Sequence, residues 1–461
     1  MFRKITLLII LTLYATTCAA APEEAISLSL AESIDRAMTT DESIAASRAG
    51  REAATWNLSL ARRAAGPTFS WTSQAMRIGG GSYDSANEAH NRYGDPHTAQ
   101  KVVGYVEGLD WPVVSESTVG AYAMNNTFAN TWTLTMPLYT GGQLEGRIKA
   151  GNYLLRQADW TLENTRQQVR YQTTAAYAGL IHQENLVGIA ASAVDMASAQ
   201  LKLINDQYTE GAVAKADVLI MEVRLANYRQ NLVNAKNQAA VAAATLANAV
   251  GLPTATKISP TDSFRYETYS RTLEECEAYA LEHRPDGMAA EYAVKAAKAQ
   301  TEAAKAGYRP RVTGSVAKSI SGNQPFRHER SDAWEAGIGI SWSIFDNGLT
   351  EANVKQAEAT TEQYRATAAN IKKNILLETR NAYLNMRAAE ENLLAAEVAV
   401  KQAEESHLIA QVRYEEGVDI LLNVTDAQER LTQARSNYFT ALYQYNLYRA
   451  ALDRAMGVPV A

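Results

Sequence analysis

The sequence predicts an α+β chain: strands that form part of a β-barrel, continued by a long α-helical barrel, laid out as an internal tandem repeat. Three observations predict it. Two halves align without a gap over more than a hundred residues, and two segments in each half alternate apolar and polar residues. Each half then runs for about 65 residues in an unbroken helical pattern, on the order of 100 Å at 1.5 Å per residue.

An offset of 206 carries Leu138 onto Ile344, Gly142 onto Gly348, Tyr177 onto Tyr383 and Tyr208 onto Tyr414. It also carries Gly211 onto Gly417 and Gly251-Leu252-Pro253 onto Gly457-Val458-Pro459. Upstream, an offset of 243 places Ala37 on Ala280 and Pro67 on Pro310, so the first copy holds 37 extra residues (243 − 206) between its strands.

Residues 1–20 read as a secretory leader, with Arg3 and Lys4 ahead of an apolar core and a small-residue cleavage region at Cys18-Ala19-Ala20. Cleavage after Ala20 takes the formal net charge from −6 to −8 (−6 − 2), which excludes a general attraction for nucleic acid. Of the two cysteines only Cys276 then remains, so no intrachain disulfide can form. No apolar run of transmembrane-helix length follows the leader, so entry into a membrane calls for a β-barrel.

Each copy follows the same order of helix, two strands and helical hairpin. Repeat 1 (21–253) is read as a helix over 22–66, a strand pair over about 67–137 with a long loop, and a hairpin over 143–250. Repeat 2 (270–459) is read as a helix over 270–309, strands over about 311–345, and a hairpin over 349–456. The first helices stop before Gly66-Pro67 and before Pro310. In "TWTLTMP" Trp132, Leu134 and Met136 oppose Thr131, Thr133 and Thr135. In "WEAGIGISWSIF" Trp334, Ala336, Ile338, Ile340, Trp342 and Ile344 share a face. Apolar-out, polar-in strands with aromatics near their ends are the outer-membrane pattern. In the helices, Leu155, Leu162, Val169 and Ala176 recur every seven residues, which suits side-by-side packing.

Strand passes to helix at "MPLYTGGQLEGRIKAG" and again at "WSIFDNGLTEANVKQA". Pro137 is expected to end its strand, and Gly141 with Gly142 to turn the backbone sharply; Asn347 and Gly348 hold the second joint. Four strands per chain are fewer than the roughly eight with which transmembrane barrels begin, so copies must associate to close one.

The sequence here resembles the TolC-like outer-membrane efflux protein family, across essentially the whole mature chain. "PLYTGG" (137–142) and "SIFDNG" (343–348), with the tip motifs "YTEGAVAKADVL" (208–219) and "YEEGVDILLNVTDAQ" (414–428), carry the resemblance in constant register. It implies a homotrimer whose pooled strands form one outer-membrane barrel, with a helical tube crossing the periplasm. It also implies partners: a periplasmic adaptor, an inner-membrane transporter and outer-membrane lipid. The duct would use no cofactor and perform no chemistry. Thr140 stands where the family often has Asp, Ser343 replaces a Pro, and "TTDES" (39–43) lacks the Asn-Pro often found there, whereas "HRPD" (283–286) keeps its Pro.

The family's pore narrows at rings of acidic residues, and the matching positions here are Asn423 and Asp426. Converging carboxylates would raise one another's pKa, attract cations and reject anions. A structural reading stands beside this one: Asn423 as a helix N-cap with Asp426 in the first helical turn. Gly211 and Gly417 are expected in the hairpin turns at an adaptor-contacting tip, as helix C-cap glycines or adaptor contacts or both. Val213, Lys215, Asp217 and Asp419 would supply specificity there. The insertion's "GGGSYDSANEAHNRYGDPHT" (79–98) reads as an extracellular loop, and His90 and His97 within it do not read as metal ligands.

No metal-type spacing joins the six histidines, and neither a phosphate-binding glycine loop nor a nucleophile elbow occurs. The function expected is an exit duct for small molecules or proteins, as in efflux or type I secretion. The alternatives are a periplasmic adaptor, which the duplication disfavours, and a coiled-coil surface protein, which the Trp-bearing strands disfavour.

Overall fold

The structure, a computed structural model, describes residues 26–77, 101–106, 111–115, 126–328 and 331–460. The expected leader and the stretch bearing His90 and His97 lie outside these residues. The first copy comprises β1 (Ile26–Leu28), α1 (Leu30–Thr40), α2 (Glu42–Arg63), β2 (Thr68–Arg77), β3 (Lys101–Val106), β4 (Trp111–Ser115) and β5 (Asn126–Tyr139). The hairpin α3 (Gln143–Thr209) and α4 (Lys215–Ala249) follows, then β6 (Ile258–Pro260). The second copy comprises α5 (Leu273–His283), α6 (Pro285–Lys305), β7 (Arg311–Gly322), β8 (Ser331–Ser341), α7 (Leu349–Glu415) and α8 (Leu421–Met456).

Two compact units divide the described chain. One holds the residues up to Glu52, Gln157–Glu291 and those from Thr367 onward; the other holds Ala53–Arg156 and Tyr292–Ala366.

In the first unit both copies open alike, with capping boxes Ser29/Glu32 and Thr272/Glu275 starting α1 and α5. The single helix expected over 22–66 is preceded by β1, paired parallel to β6, and is broken at Asp41. Asp41 adopts an extended backbone (φ −70°, ψ 125°), and its carboxylate accepts the Ser43 N–H at 2.8 Å, starting α2. The helix expected over 270–309 breaks likewise at Arg284 (φ −71°, ψ 125°) and finishes in a 3-10 turn, Ala306–Tyr308. There Pro285, at the first position of α6, keeps the residue before it out of the helical region.

The far ends of the hairpins dock on these breaks. Gly251 (φ +68°) and Gly457 (φ +75°) close α4 and α8 with paired bonds: Leu252 N–H to Ala247 O and Val458 N–H to Asp453 O span the last turns. A Cβ on Gly251 would lie 2.6 Å from Thr40 Oγ1, and one on Gly457 2.8 Å from the Arg284 Cα. Tyr177, fully buried among Leu180, Leu246, Val250 and Ile258, donates to the Leu28 carbonyl at 3.0 Å.

In the second unit β2, β5, β7 and β8 form, in that order, a wholly antiparallel sheet. Three strand expectations change. β3 and β4 form a hairpin inside what reads as loop; β8 ends at Ser341 rather than near 345; and β5 runs past Pro137 to Tyr139. Its register against β7 shifts between Pro137 and Tyr139, a bulge that accommodates a residue without an N–H to donate. Small residues bring the helices close: a Cβ on Gly146 (α3) would meet Ala303 (α6) at 2.8 Å, and the Thr301 and Thr361 hydroxyls lie 3.0 Å apart between α6 and α7.

One expectation on hydropathy also changes. A stretch of α3 reaches a mean hydropathy of 1.3 and passes as a membrane span by length and composition.

Candidate functional site

The sheet has two unlike faces. On one, Trp71, Trp132, Lys318 and Trp334 form a single cross-strand row, and Phe69, Leu134, Val316 and Ala336 form the next row on that face. Met136, Ile338 and Ile340 extend this apolar band toward the helices. It is exposed: Trp334, Ile338 and Ile340 are 74%, 70% and 72% accessible. The opposite face reads Thr68–Thr135–Ser315–Gly337, Ser70–Thr133–Ala317–Glu335 and Thr72–Thr131–Ser319–Ala333. Period two puts the large apolar residues of these rows on one side in one register, which a one-residue slip would undo. Among the described residues the outer strands β2 and β8 each pair on one side only.

Glycine and asparagine turn the chain from this sheet into helices. Gly141 (φ +68°) and Gly142 (φ +96°) both require the left-handed region, and a Cβ on Gly141 would stand 2.9 Å from the Ala306 carbonyl oxygen. Arg309 donates to the Gly141 carbonyl at 3.0 Å. At the second joint Asn347 (φ +53°) and Gly348 (φ +82°) share the turn. Asp346 accepts from the Gly348 N–H (3.1 Å), the Thr350 N–H (2.9 Å) and the Thr350 hydroxyl (2.5 Å), capping α7 and holding its carboxyl below the usual range.

The hairpin turns lie in the other unit. Gly211 (φ +79°) and Gly417 (φ +73°) donate to the Tyr208 and Tyr414 carbonyls, while Ala212 and Val418 donate to the Gln207 and Arg413 carbonyls. This double closure requires φ > 0, and open space surrounds both glycines, so backbone conformation alone selects them. Val213 packs on the cluster of Ile204, Met221 and Leu225. Lys215 opens α4 exposed, with Asp217 half-buried in the same turn.

Asp419 accepts from Asn423 Nδ2 (2.5 Å) and the Ile420 N–H (2.9 Å) and pairs with Arg413 (3.4 Å), which together hold its carboxyl below the usual range. The N-cap of α8 is Ile420, with no side-chain cap. The N-cap reading of Asn423 is thereby corrected: Asn423 is the third helical residue, committed to Asp419, and Asp426 is the sixth, beyond the first turn. The cause lies one residue upstream of the cap, where Asp419 supplies the acceptor. Asp426, its side chain 48% exposed, lies 3.9 Å from Arg224 of α4, which is also 3.9 Å from Glu429.

Two further contacts join the hairpins. The Tyr414 hydroxyl donates to Gln207 Oε1 at 3.0 Å, and Leu421 enters the cluster of Ile204, Met221 and Leu225. Sequence reasoning missed Arg224 and Gln207, since neither falls in a repeated motif. Around this tip Val418, Ile420 and Leu422 stand exposed.

The outer membrane efflux protein family model matches residues 33–252 and 278–458, one segment in each copy. The alkaline protease secretion protein AprF of Pseudomonas aeruginosa is 22% identical over 77% of each chain. The cobalt-zinc-cadmium resistance protein CzcC of Cupriavidus metallidurans is 24% identical over 72% of this chain and 78% of its own. The outer membrane protein OprJ of Pseudomonas aeruginosa is 30% identical, over 38% of this chain and 37% of its own. Among solved structures, the outer membrane protein VceC of Vibrio cholerae superposes with a TM-score of 0.74 at 20% identity, over 93% of this chain and 96% of its own. The MtrE outer membrane channel of Neisseria gonorrhoeae, in its open state, superposes at 0.71 and 16% identity, over 93% and 88%. Matched in both of its repeats, the chain belongs to the outer membrane efflux protein family and is an outer-membrane export channel.

Proposed function

We propose that three copies close one twelve-stranded barrel (3 × 4) and that the assembly is the exit duct of a pump seated elsewhere. The observation that carries this reading is the four-stranded sheet, apolar on one face, hydroxyl-rich on the other, with unpaired outer strands. Lipid cannot satisfy those backbone groups, so β2 of one copy must pair with β8 of the next. The number three follows the family resemblance. The apolar band, rimmed by the tryptophan row, then faces lipid, and the Thr/Ser face lines a water-filled path.

In this reading Gly141, Gly142, Asn347 and Gly348 are the joints from barrel to helical tube, and the hairpins at Gly211 and Gly417 form the periplasmic tip. Exposed Val418, Ile420 and Leu422, flanked by Lys215, Asp217 and Asp419, form an apolar patch with a charged rim that suits a periplasmic adaptor. The Asp426 carboxylates, one per copy, ring the narrow end. The duct uses no energy of its own; an inner-membrane transporter drives export. AprF is named for protease secretion and CzcC for cobalt, zinc and cadmium resistance, so cargo varies among relatives. The hydroxyl face proposed here as lumen favours passage over recognition. Native mass spectrometry of the detergent-solubilised protein tests the assembly: three chains are expected, and a folded, membrane-inserted single chain would contradict it.

A further inference from the structure

A cationic groove of about 650 Å³ lies between α3, α6 and α7 in the same unit as the sheet. Lys149, Tyr153, Lys295, Lys298, Lys305 and Arg365 line it. Its carboxylates are already engaged: Glu302 by Lys305 at 2.8 Å, Glu358 by Lys355 at 3.3 Å, and Glu362 by Arg365. Among the described residues, Lys149, Lys295 and Lys298 make no ion pair, and all three are exposed. Tyr292, 6.4 Å from Tyr153 between ring centroids, lies 4.5 Å from the Lys295 ammonium.

The groove's side of the helix layer follows from helical geometry. A second cavity joins Arg311 and Ser341, both on the hydroxyl face of the sheet, to Ala303, Ala304 and Gly307 of the α6 region. At about 100° per residue, Lys295, Lys298, Glu302 and Lys305 project roughly half a turn away from those three. The groove therefore opens on the same side as the apolar band. Lys305 directly precedes the turn 306–308 that leads to β7, where exposed Tyr308 accepts the Trp342 indole N–H through its carbonyl at 3.2 Å. Lys298 sits seven residues earlier, about 10 Å along the helix, and Lys149 six residues into α3, about 9 Å. The order along this side is apolar band, aromatic rim, free lysines.

We propose that this groove binds the phosphate headgroup of an anionic phospholipid in the membrane leaflet nearest the helices. The inference rests on the barrel reading, which turns the apolar band to lipid. Free ammonium groups just beyond an aromatic rim match the depth of lipid phosphates, within about one Debye length of the surface. Glu302 and Glu362 neutralise Lys305 and Arg365, two of the groove's five cations, and leave the ammonium groups of Lys149, Lys295 and Lys298 to meet an anionic headgroup. A zwitterionic headgroup gains nothing net from them.

The test is native mass spectrometry of the purified assembly with equimolar phosphatidylglycerol and phosphatidylethanolamine, alongside conductance in vesicles. Wild type is expected to retain phosphatidylglycerol about fivefold over phosphatidylethanolamine. In K149Q/K295Q/K298Q the ratio is expected to fall to near one with conductance unchanged, and Lys298→Glu alone is expected to lower it. Equal ratios for wild type and triple variant in a conducting protein would overturn the inference alone. Displacement of the lipid by millimolar glycerol phosphate would overturn it in favour of a free-phosphate site. A wild type that neither inserts nor conducts would overturn the barrel reading and the inference with it.

Discussion

The Tyr414 hydroxyl donates to Gln207 Oε1 at 3.0 Å, so the last turn of one hairpin's long helix is bonded to the last turn of the other's. The offset of 206 makes Tyr208 the repeat partner of Tyr414, yet Tyr208 is exposed and, among the described residues, makes no such bond. The duplication is thus broken in side chains where the hairpins meet. Removing the hydroxyl with Tyr414→Phe deletes one hydrogen bond, on the order of 1 kcal/mol, or about fivefold in an equilibrium by which the two hairpins of the proposed periplasmic tip separate and open the duct. Channel recordings are expected to show a longer open time at unchanged unit conductance; an unaltered open time would separate this bond from opening.

The Arg224 guanidinium lies 3.9 Å from both Asp426 and Glu429, whose side chains are 48% and 72% exposed. Exposed pairs of this kind contribute at most about 1 kcal/mol. Arg224→Gln is therefore expected to change melting temperature little while making separation of the hairpins less sensitive to ionic strength than in wild type, where salt screens these pairs. Thermal unfolding and conductance across a salt series would check both halves of this statement.

The two docking glycines face different walls, and that difference is testable. Gly251 abuts the Thr40 side chain, whereas Gly457 abuts the Arg284 backbone. Both substitutions to Ala carry the left-handed penalty of about 1–2 kcal/mol. The remaining clash at Gly251→Ala is expected to be relieved by Thr40→Gly and not by Thr40→Ala, because the Thr40 Cβ itself would lie 2.7 Å from the added Cβ. That at Gly457→Ala has no side chain to trim, so Arg284→Ala should not rescue it. Melting temperatures of the single and double variants decide the matter.

Burial pushes the Asp453 carboxyl up, against the opposing charges of Arg449, Arg170 and Arg271. A carboxyl raised in the folded state destabilises that state once both states are ionised, and the penalty fades as pH falls through the folded value toward the ordinary one. Asp453→Asn is accordingly expected to raise the melting temperature at pH 7 by a few degrees. The gain should shrink at pH 4. A gain constant across pH would assign the effect to packing instead.

Much of the architecture was legible because it rests on period and punctuation. Alternation in "TWTLTMP" places the faces of β5, and Gly211 and Gly417 mark turns that only positive φ can close. The helix breaks were less legible. Pro285 announces the break at Arg284, but at Asp41 the same backbone is produced by a capping carboxylate, and Asp with Ser nearby also occurs within helices. The tip was legible as a turn and not as a network, because Arg224, Gln207 and Asp419 act through contacts between hairpins or across the turn. Asn423 illustrates this: a favourable capping residue by type, it is taken by an acceptor four residues earlier.

Single-channel conductance of the purified protein in planar bilayers, wild type beside Asp426→Ala, tests the central claim most directly. The account predicts discrete, cation-preferring steps in wild type and reduced cation preference in the variant. A folded protein that stays water-soluble and inserts no channel would contradict the duct, and steps with selectivity unchanged by Asp426→Ala would contradict its carboxylate ring.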